Sequence, residues 1–186
     1  NLHPLTIEEE DVSVSGERCI ELKYQIKDLG LHGVGVRQSL LDENVSDENR
    51  PRLSYSIFYN YGRNTENLSL RSGVVEIKLL SGKRLRYLNF YDDKNIPENN
   101  ENIKYLEQGR TEYRIWENFS TDLHSDLKEA FGPDYGIVQH IALINLENNT
   151  GGSGSNVQWF FDNVKLTSRK SRSINRIEFR QFSDPI

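Results

Sequence analysis

The residues best suited to chemistry in this sequence are aromatic side chains that lie close to an amide. Aromatic rings can stack on the apolar faces of a sugar, and nearby polar groups can bind its hydroxyls. Tyr87, Asn89 and Tyr91 alternate along one predicted strand and therefore share a face. Trp159 and Asp162 are three residues apart, so they face opposite sides of a regular strand. Because Asp162 is predicted to point inward, the indole of Trp159 is predicted to point outward. These four residues are the predicted ligand-binding set, and the alternative is that their faces are half-buried.

Catalytic motifs are absent from the sequence. No Ser stands in a G-x-S-x-G turn, and Cys19 is the single cysteine. The histidines are not spaced as metal ligands; they are His3, His32, His124 and His140. Arg86 and Tyr87 are adjacent and must face opposite sides of a strand, which argues against a Tyr/His/Arg lyase site with His140. We therefore predict a non-catalytic protein, with a polysaccharide lyase or glycosidase as an alternative.

Length and charge restrict the class of protein. A chain of 186 residues can bury the core of one domain. The net charge of −5 makes nucleic acid an improbable partner. No apolar run reaches the roughly 18 residues needed to cross a bilayer, so no membrane span is predicted.

N-glycosylation sequons suggest where the protein acts. The pattern N-x-[ST] occurs at Asn44, Asn67, Asn118 and Asn148. They favour a secreted or cell-surface glycoprotein, and the alternative is loops that are simply rich in Asn and Ser.

Alternating apolar residues predict strands through most of the chain. Leu53, Tyr55, Ile57, Tyr59 and Tyr61 share one face of a strand, a mixture typical of a core. Val74–Leu80 and Leu85–Tyr91 are predicted to form a hairpin through Ser81-Gly82-Lys83. Val138–Leu146 is apolar on both faces, which predicts a central strand.

The remaining segments complete an all-β prediction with one short helix near 121–131, capped by Ser120 or Thr121 and ended by Gly132. Residues 111–116 are predicted as a strand, and residues 92–109 as a long loop insertion. Residues 168–186 form a basic tail or a terminal strand. The domain is predicted over residues 1–167.

The order of these features resembles the jelly-roll carbohydrate-binding modules and related galactose-binding-like domains. A strand at Trp116 is followed by Asp122-Leu123 and by an apolar strand over Ile141–Leu146. The chain then closes with Phe161-Asp162-Asn163-Val164-Lys165-Leu166, and the similarity covers roughly residues 5–167. The resemblance implies a two-sheet antiparallel jelly-roll β-sandwich, in which Trp116 packs in the core.

The same resemblance implies a structural calcium ion held by Asp162 with Glu8, Glu9 or Glu10 as partners. Calcium takes six to eight oxygen ligands, which carboxylates and carbonyls supply. Asp162 shares parity with Val164 and Leu166, so a regular strand would turn it inward, where a carboxylate needs a cation or hydrogen bonds. The alternative is that Asp162 accepts from backbone amides.

Together these observations predict a non-catalytic, extracellular or surface module that binds carbohydrate or a neighbouring surface protein. The first alternative is a structural subunit that self-assembles through terminal strands. A polysaccharide-active enzyme is the second.

Overall fold

The part of the chain that the structure describes contains two β-sheets, one α-helix and a short 3-10 helix over Asp47–Asn49. The computed structural model describes residues 19–26, 29–41, 45–63, 68–92, 96–151, 155–167 and 180–184. The strands in these ranges are β1 (Ile20–Ile26), β2 (Gly30–Ser39), β3 (Arg52–Arg63), β4 (Leu68–Leu79), β5 (Arg84–Asp92), β6 (Ile103–Arg110), β7 (Trp116–Thr121), β8 (Val138–Asn149), β9 (Ser155–Thr167) and β10 (Arg180–Asp184). The helix is α1 (Leu123–Phe131).

The strand order is that of a jelly roll. A four-stranded sheet has the order β1-β9-β3-β7, and a six-stranded sheet has the order β10-β2-β8-β4-β5-β6. Consecutive strands alternate between the sheets except for β4, β5 and β6, which stay in the six-stranded sheet. The predicted all-β sandwich with one short helix is confirmed. The expectation of purely antiparallel sheets is wrong for one pair, because β5 and β6 run parallel.

Local sequence signals place several elements correctly. The hairpin of β4 and β5 turns through Gly82, whose φ of 91° suits a residue without Cβ. Strand β8 lies between β2 and β4, as its two apolar faces predict. Helix α1 ends at Gly132, but its N-cap is Asp122, whose carboxylate accepts from the Ser125 amide at 3.4 Å. The predicted Ser120 or Thr121 cap is therefore one or two residues too early.

The principal core lies between the two sheets. The largest side chains that are fully buried there include Tyr59, Tyr87, Trp159 and Phe161. Gly73 makes room for the indole, because a Cβ at this position would lie 2.6 Å from Trp159 Cε3. The predicted outward position of Trp159 is wrong, since its exposure is 0%.

A β-bulge in β9 is the reason for that error. Ser54 pairs with Lys165 and Ser56 pairs with Asp162, so two residues of β9 lie opposite one residue of β3. Asn163 in the bulge has a φ of 50°. The extra residue reverses the alternation, so Leu166 faces the core while Asp162 faces outward. Parity counted back from Leu166 therefore assigns the wrong face to every residue before the bulge.

Two segments differ from their predicted structures, and the C-terminal segment contains the strand that was one of its two predicted forms. Residues 92–109 are not all loop, because they include most of β6. The strand predicted over residues 111–116 instead begins at Trp116. The C-terminal strand is β10, which pairs antiparallel with β2. The basic run Arg169–Arg172 lies outside the described residues.

Candidate functional site

Three of the four predicted ligand-binding residues are buried in this structure. Tyr87 and Asn89 are 0% exposed, like Trp159. Asn89 accepts from the Tyr55 hydroxyl at 3.1 Å and donates to the Gly73 carbonyl at 3.1 Å. These contacts hold β3, β4 and β5 together, so they do not form a solvent-exposed binding face. The side chain of Tyr91 is not among those described.

Tyr87 has a structural partner of its own. Its hydroxyl donates to Asp126 Oδ2 at 2.7 Å, which ties β5 to helix α1. Burial, followed by the negative charge of Asp126, raises the pKa of Tyr87. The phenol therefore stays protonated and acts as a hydrogen-bond donor.

The outward-facing side of the four-stranded sheet, called here the outer face, carries an aromatic row. The row consists of Phe160 on β9, Phe58 on β3 and Trp116 on β7, which are direct neighbours in the strand register. The centroid of Phe58 lies 5.3 Å from that of Trp116 and 5.6 Å from that of Phe160. All three side chains are half-buried. The sheet thus presents apolar ring surface that solvent reaches.

This row corrects the prediction for Trp116, which was expected to pack in the core. Ile57 and Tyr59 point inward, so Phe58 between them points outward, and its register partner Trp116 does the same. One signal in the sequence marks this face. The residues that alternate with the core residues of β3 are polar apart from Phe58, which is the pattern of a wetted face with one exposed ring.

One side of the aromatic row carries a chain of hydrogen bonds. Asn60 Nδ2 donates to Gln158 Oε1 at 2.7 Å, and Arg114 Nε donates to Asn60 Oδ1 at 3.3 Å. The Arg114 guanidinium is exposed and lies 5.1 Å from the centroid of the Tyr113 ring. The three connected side chains line the row from β9 to the start of β7.

The other side of the row is also polar. Ser56 Oγ donates to Asn118 Oδ1 at 2.6 Å, and Asn118 is exposed. Asp162 lies beside Ser56 in the register but is only 8% exposed. The aromatic row therefore lies between two lines of hydrogen-bonding groups.

The calcium prediction falls partly outside the described residues, which exclude Glu8, Glu9 and Glu10. Asp162 Oδ1 accepts from the Asn163 amide at 2.6 Å, as the backbone-amide alternative foresaw. Within the described ranges, no three His, Cys, Asp or Glu residues are grouped as metal ligands. A calcium site at Asp162 stays a prediction that depends on the acidic N-terminal segment.

The single cysteine is close to Asp162 but is not set up as a nucleophile. Burial, followed by the negative charges of Asp162 and Glu21, raises the pKa of the Cys19 thiol to about 11. The thiol is therefore protonated at neutral pH, and the thiolate is the reactive form.

The predicted sequons occupy different environments. Asn44 and Asn67 lie outside the described residues. Asn118 is exposed on the outer face of β7. Asn148 is half-buried in β8, where its carbonyl accepts from Ser69 Oγ at 3.4 Å. Glycosylation at these positions stays a prediction.

The three groups considered for a lyase site lie on two sides of the six-stranded sheet. Tyr87 faces the core, whereas Arg86 and His140 surround Glu76 on the sheet's other side. Arg86 Nε lies 2.7 Å from Glu76 Oε2, and His140 Nε2 lies 3.3 Å from Glu76 Oε1. The sheet therefore separates Tyr87 from Arg86 and His140.

The cluster around Glu76 is a buried ion pair. Burial alone would raise the pKa of Glu76, but the contacts with His140, Arg86 and Arg84 outweigh it and lower the pKa to about 2. Arg86 and Glu76 are each 2% exposed. This cluster joins β4, β5 and β8 and is structural.

Comparison with known proteins does not assign the chain to a family. No protein-family model matches the chain, and no curated protein matches it. Among solved structures, the chain is similar to an exo-beta-agarase at 11% sequence identity and a TM-score of 0.37. The similarity covers 92% of this chain but only 23% of the agarase chain.

Within the described ranges, no helix is long and apolar enough to cross a membrane.

Proposed function

We propose that this protein is a non-catalytic module whose outer face binds carbohydrate. The observation that carries the proposal is the aromatic row of Phe58, Trp116 and Phe160 between two lines of hydrogen-bonding side chains. Rings of this kind contact the apolar faces of sugars, and amides and guanidinium groups bind sugar hydroxyls. The resemblance to jelly-roll carbohydrate-binding modules agrees with this use of the fold, although the residues differ from those the sequence suggested.

The shape of the face favours an extended ligand. The row crosses three adjacent strands, which are spaced by about 4.8 Å. The ring planes turn along it, with 39° between Phe58 and Trp116 and 82° between Phe58 and Phe160. A polysaccharide chain that runs along β3 can place a sugar unit on this row while its hydroxyls reach Asn60 on one side of the row and Asn118 on the other.

The acidic groups of the outer face favour binding over hydrolysis. Glycosidases use two carboxyl groups that flank the bond they cleave. Asp162 and Glu21 are 8% and 4% exposed, and Asp162 is hydrogen-bonded to a backbone amide. Neither presents an open carboxyl group beside the aromatic row.

The proposal implies that the protein lies outside the cell or on its surface, because polysaccharides occur there. It also places a condition on Asn118, because a glycan attached there would cover the aromatic row. Binding and glycosylation at Asn118 therefore exclude each other, and the protein should be tested without N-linked glycans.

The test is Trp116→Ala in a binding assay with soluble glucans, xylans, mannans and galactans. Loss of a central aromatic contact should weaken binding by about 2 kcal/mol, or about 30-fold. Because Trp159 is fully buried, a ligand should change mainly the fluorescence of Trp116. Trp116→Phe should therefore bind in affinity gels but lose that fluorescence change.

The control is Leu80→Ala, which removes an exposed apolar side chain at the turn after β4. It should leave binding unchanged. Equal binding by wild type and Trp116→Ala, or binding of no polysaccharide, would refute the proposal. Concentration-dependent polymers that disappear on deleting residues 168–186 would instead favour the assembly alternative, in which the terminal strand β10 pairs between copies.

A further inference from the structure

A basic cleft lies at the far end of the same outer face. It has a volume of about 440 Å³ and lies where β3 begins, β9 ends and α1 begins. Its lining residues are Arg50, Arg52, Asp122, His124, Ser125, Lys128 and Thr167. Three cationic side chains thus face one carboxylate in a protein whose net charge is −5.

No residue in the described part of the chain neutralises the cationic side chains of the cleft. Among the described residues, the side chains of Arg50, Arg52 and Lys128 form no hydrogen bond or ion pair, and all three are exposed. The one carboxylate, on Asp122, is already used as the helix cap through the Ser125 amide. The cleft therefore carries a positive potential that an anion from solution can satisfy.

The cleft and the aromatic row belong to one surface. Leu53 and Leu166 point into the core, so their neighbours Arg52 and Thr167, which pair with each other, point to the outer face. Phe58 lies six positions after Arg52 along β3, which corresponds to about 20 Å. The exposed Lys165 lies between them in the register, opposite Ser54.

We propose that the basic cleft binds the anionic substituents of a polysaccharide that lies along the outer face, so that the preferred ligand is a sulfated or carboxylated glycan. This inference rests on the proposed function and specifies the class of ligand. The aromatic row holds the sugar rings, and the cleft, about 20 Å away along β3, holds a charged group on the same chain. Guanidinium groups suit this role because their planar fork matches two oxygens of a sulfate or carboxylate.

The test compares a sulfated galactan with the same galactan after chemical desulfation, for wild type and for the double variant Arg50→Gln/Arg52→Gln. Wild type should bind the sulfated form about tenfold more tightly at low salt, and this preference should shrink as ionic strength rises. The double variant should bind both forms alike, at the affinity of wild type for the desulfated form. A matched control, Lys78→Gln/Lys104→Gln, removes the same charge from the six-stranded sheet and should keep the preference.

A second measurement tests the cleft without any glycan. Inorganic sulfate, titrated against the protein and followed by NMR, should saturate and shift the amides of His124 and Ser125 in wild type but not in the double variant. The inference is overturned if these amides do not respond, or if wild type binds both galactans equally. Galactan binding that is about 30-fold weaker in Trp116→Ala, with the sulfate response intact, is expected when both proposals hold. Binding of neither galactan by wild type refutes the proposed function, and with it the glycan assignment of the cleft.

Discussion

The buried ion pair at Glu76 makes a quantitative prediction about acid stability. The pKa of Glu76 is lowered from 4.5 to about 2 by the cationic groups around it, even though burial opposes ionisation. A folded-state pKa below the unfolded value means that the folded state is stabilised when the carboxylate is charged. This stabilisation is fully present above pH 4.5 and is lost as pH falls towards 2. The difference in pKa corresponds to about 3 kcal/mol.

The perturbation is Glu76→Gln, which keeps the shape of the side chain but removes its charge. Arg86, which is 2% exposed, then lacks its counter-charge in a buried position. We expect the variant to be less stable than wild type by about 3 kcal/mol at pH 7. Because protonated Glu76 resembles glutamine, the difference should fall towards zero between pH 4.5 and 2.

Urea denaturation at a series of pH values measures this difference directly. Glu107→Gln is the control, because Glu107 is an exposed carboxylate on the neighbouring strand β6 and should change stability by less than about 0.5 kcal/mol. A gap between wild type and Glu76→Gln that is below about 1 kcal/mol at pH 7, or that does not vary with pH, would refute the reasoning.

Two further predictions concern the core and the metal site. Gly73→Ala should destabilise the protein by about 1 to 3 kcal/mol in urea denaturation, because the new Cβ would lie 2.6 Å from Trp159 Cε3. Adding Trp159→Phe should restore part of the loss, and a Gly73→Ala variant as stable as wild type would contradict the close packing. If Asp162 helps to bind calcium, the melting temperature should rise when calcium is added to chelator-treated protein, and Asp162→Asn should abolish this rise. The same melting temperature with calcium and with chelator would refute a calcium site at Asp162.

The elements whose signals are local could be predicted from the sequence alone. Alternation marked the core side chains of β3, and Ser81-Gly82-Lys83 marked the turn between β4 and β5. The four-residue spacing of Leu123 and Leu127 marked the only α-helix in the described part of the chain. From these elements the all-β sandwich could be predicted, because burial of one face of each strand requires a second layer.

The assignment of side chains to the two faces of β9 was decided by tertiary structure. The bulge at Asn163 adds one residue that no periodicity in the sequence reveals, and it reverses the faces of Trp159 and Asp162. The residue that the sequence proposed for ligand contact is therefore buried, and the residue proposed to point inward faces out.

Both candidate sites likewise depend on strand pairing. Phe58, Trp116 and Phe160 are far apart in the chain and become neighbours only through the register of β7, β3 and β9. The basic cleft joins the starts of β3 and α1 to the end of β9. Register is fixed by long-range burial, because a shift of one residue would move every core side chain of a strand to solvent. The sequence could thus specify which segments are strands, but only the packed sandwich determined which residues meet on its outer face.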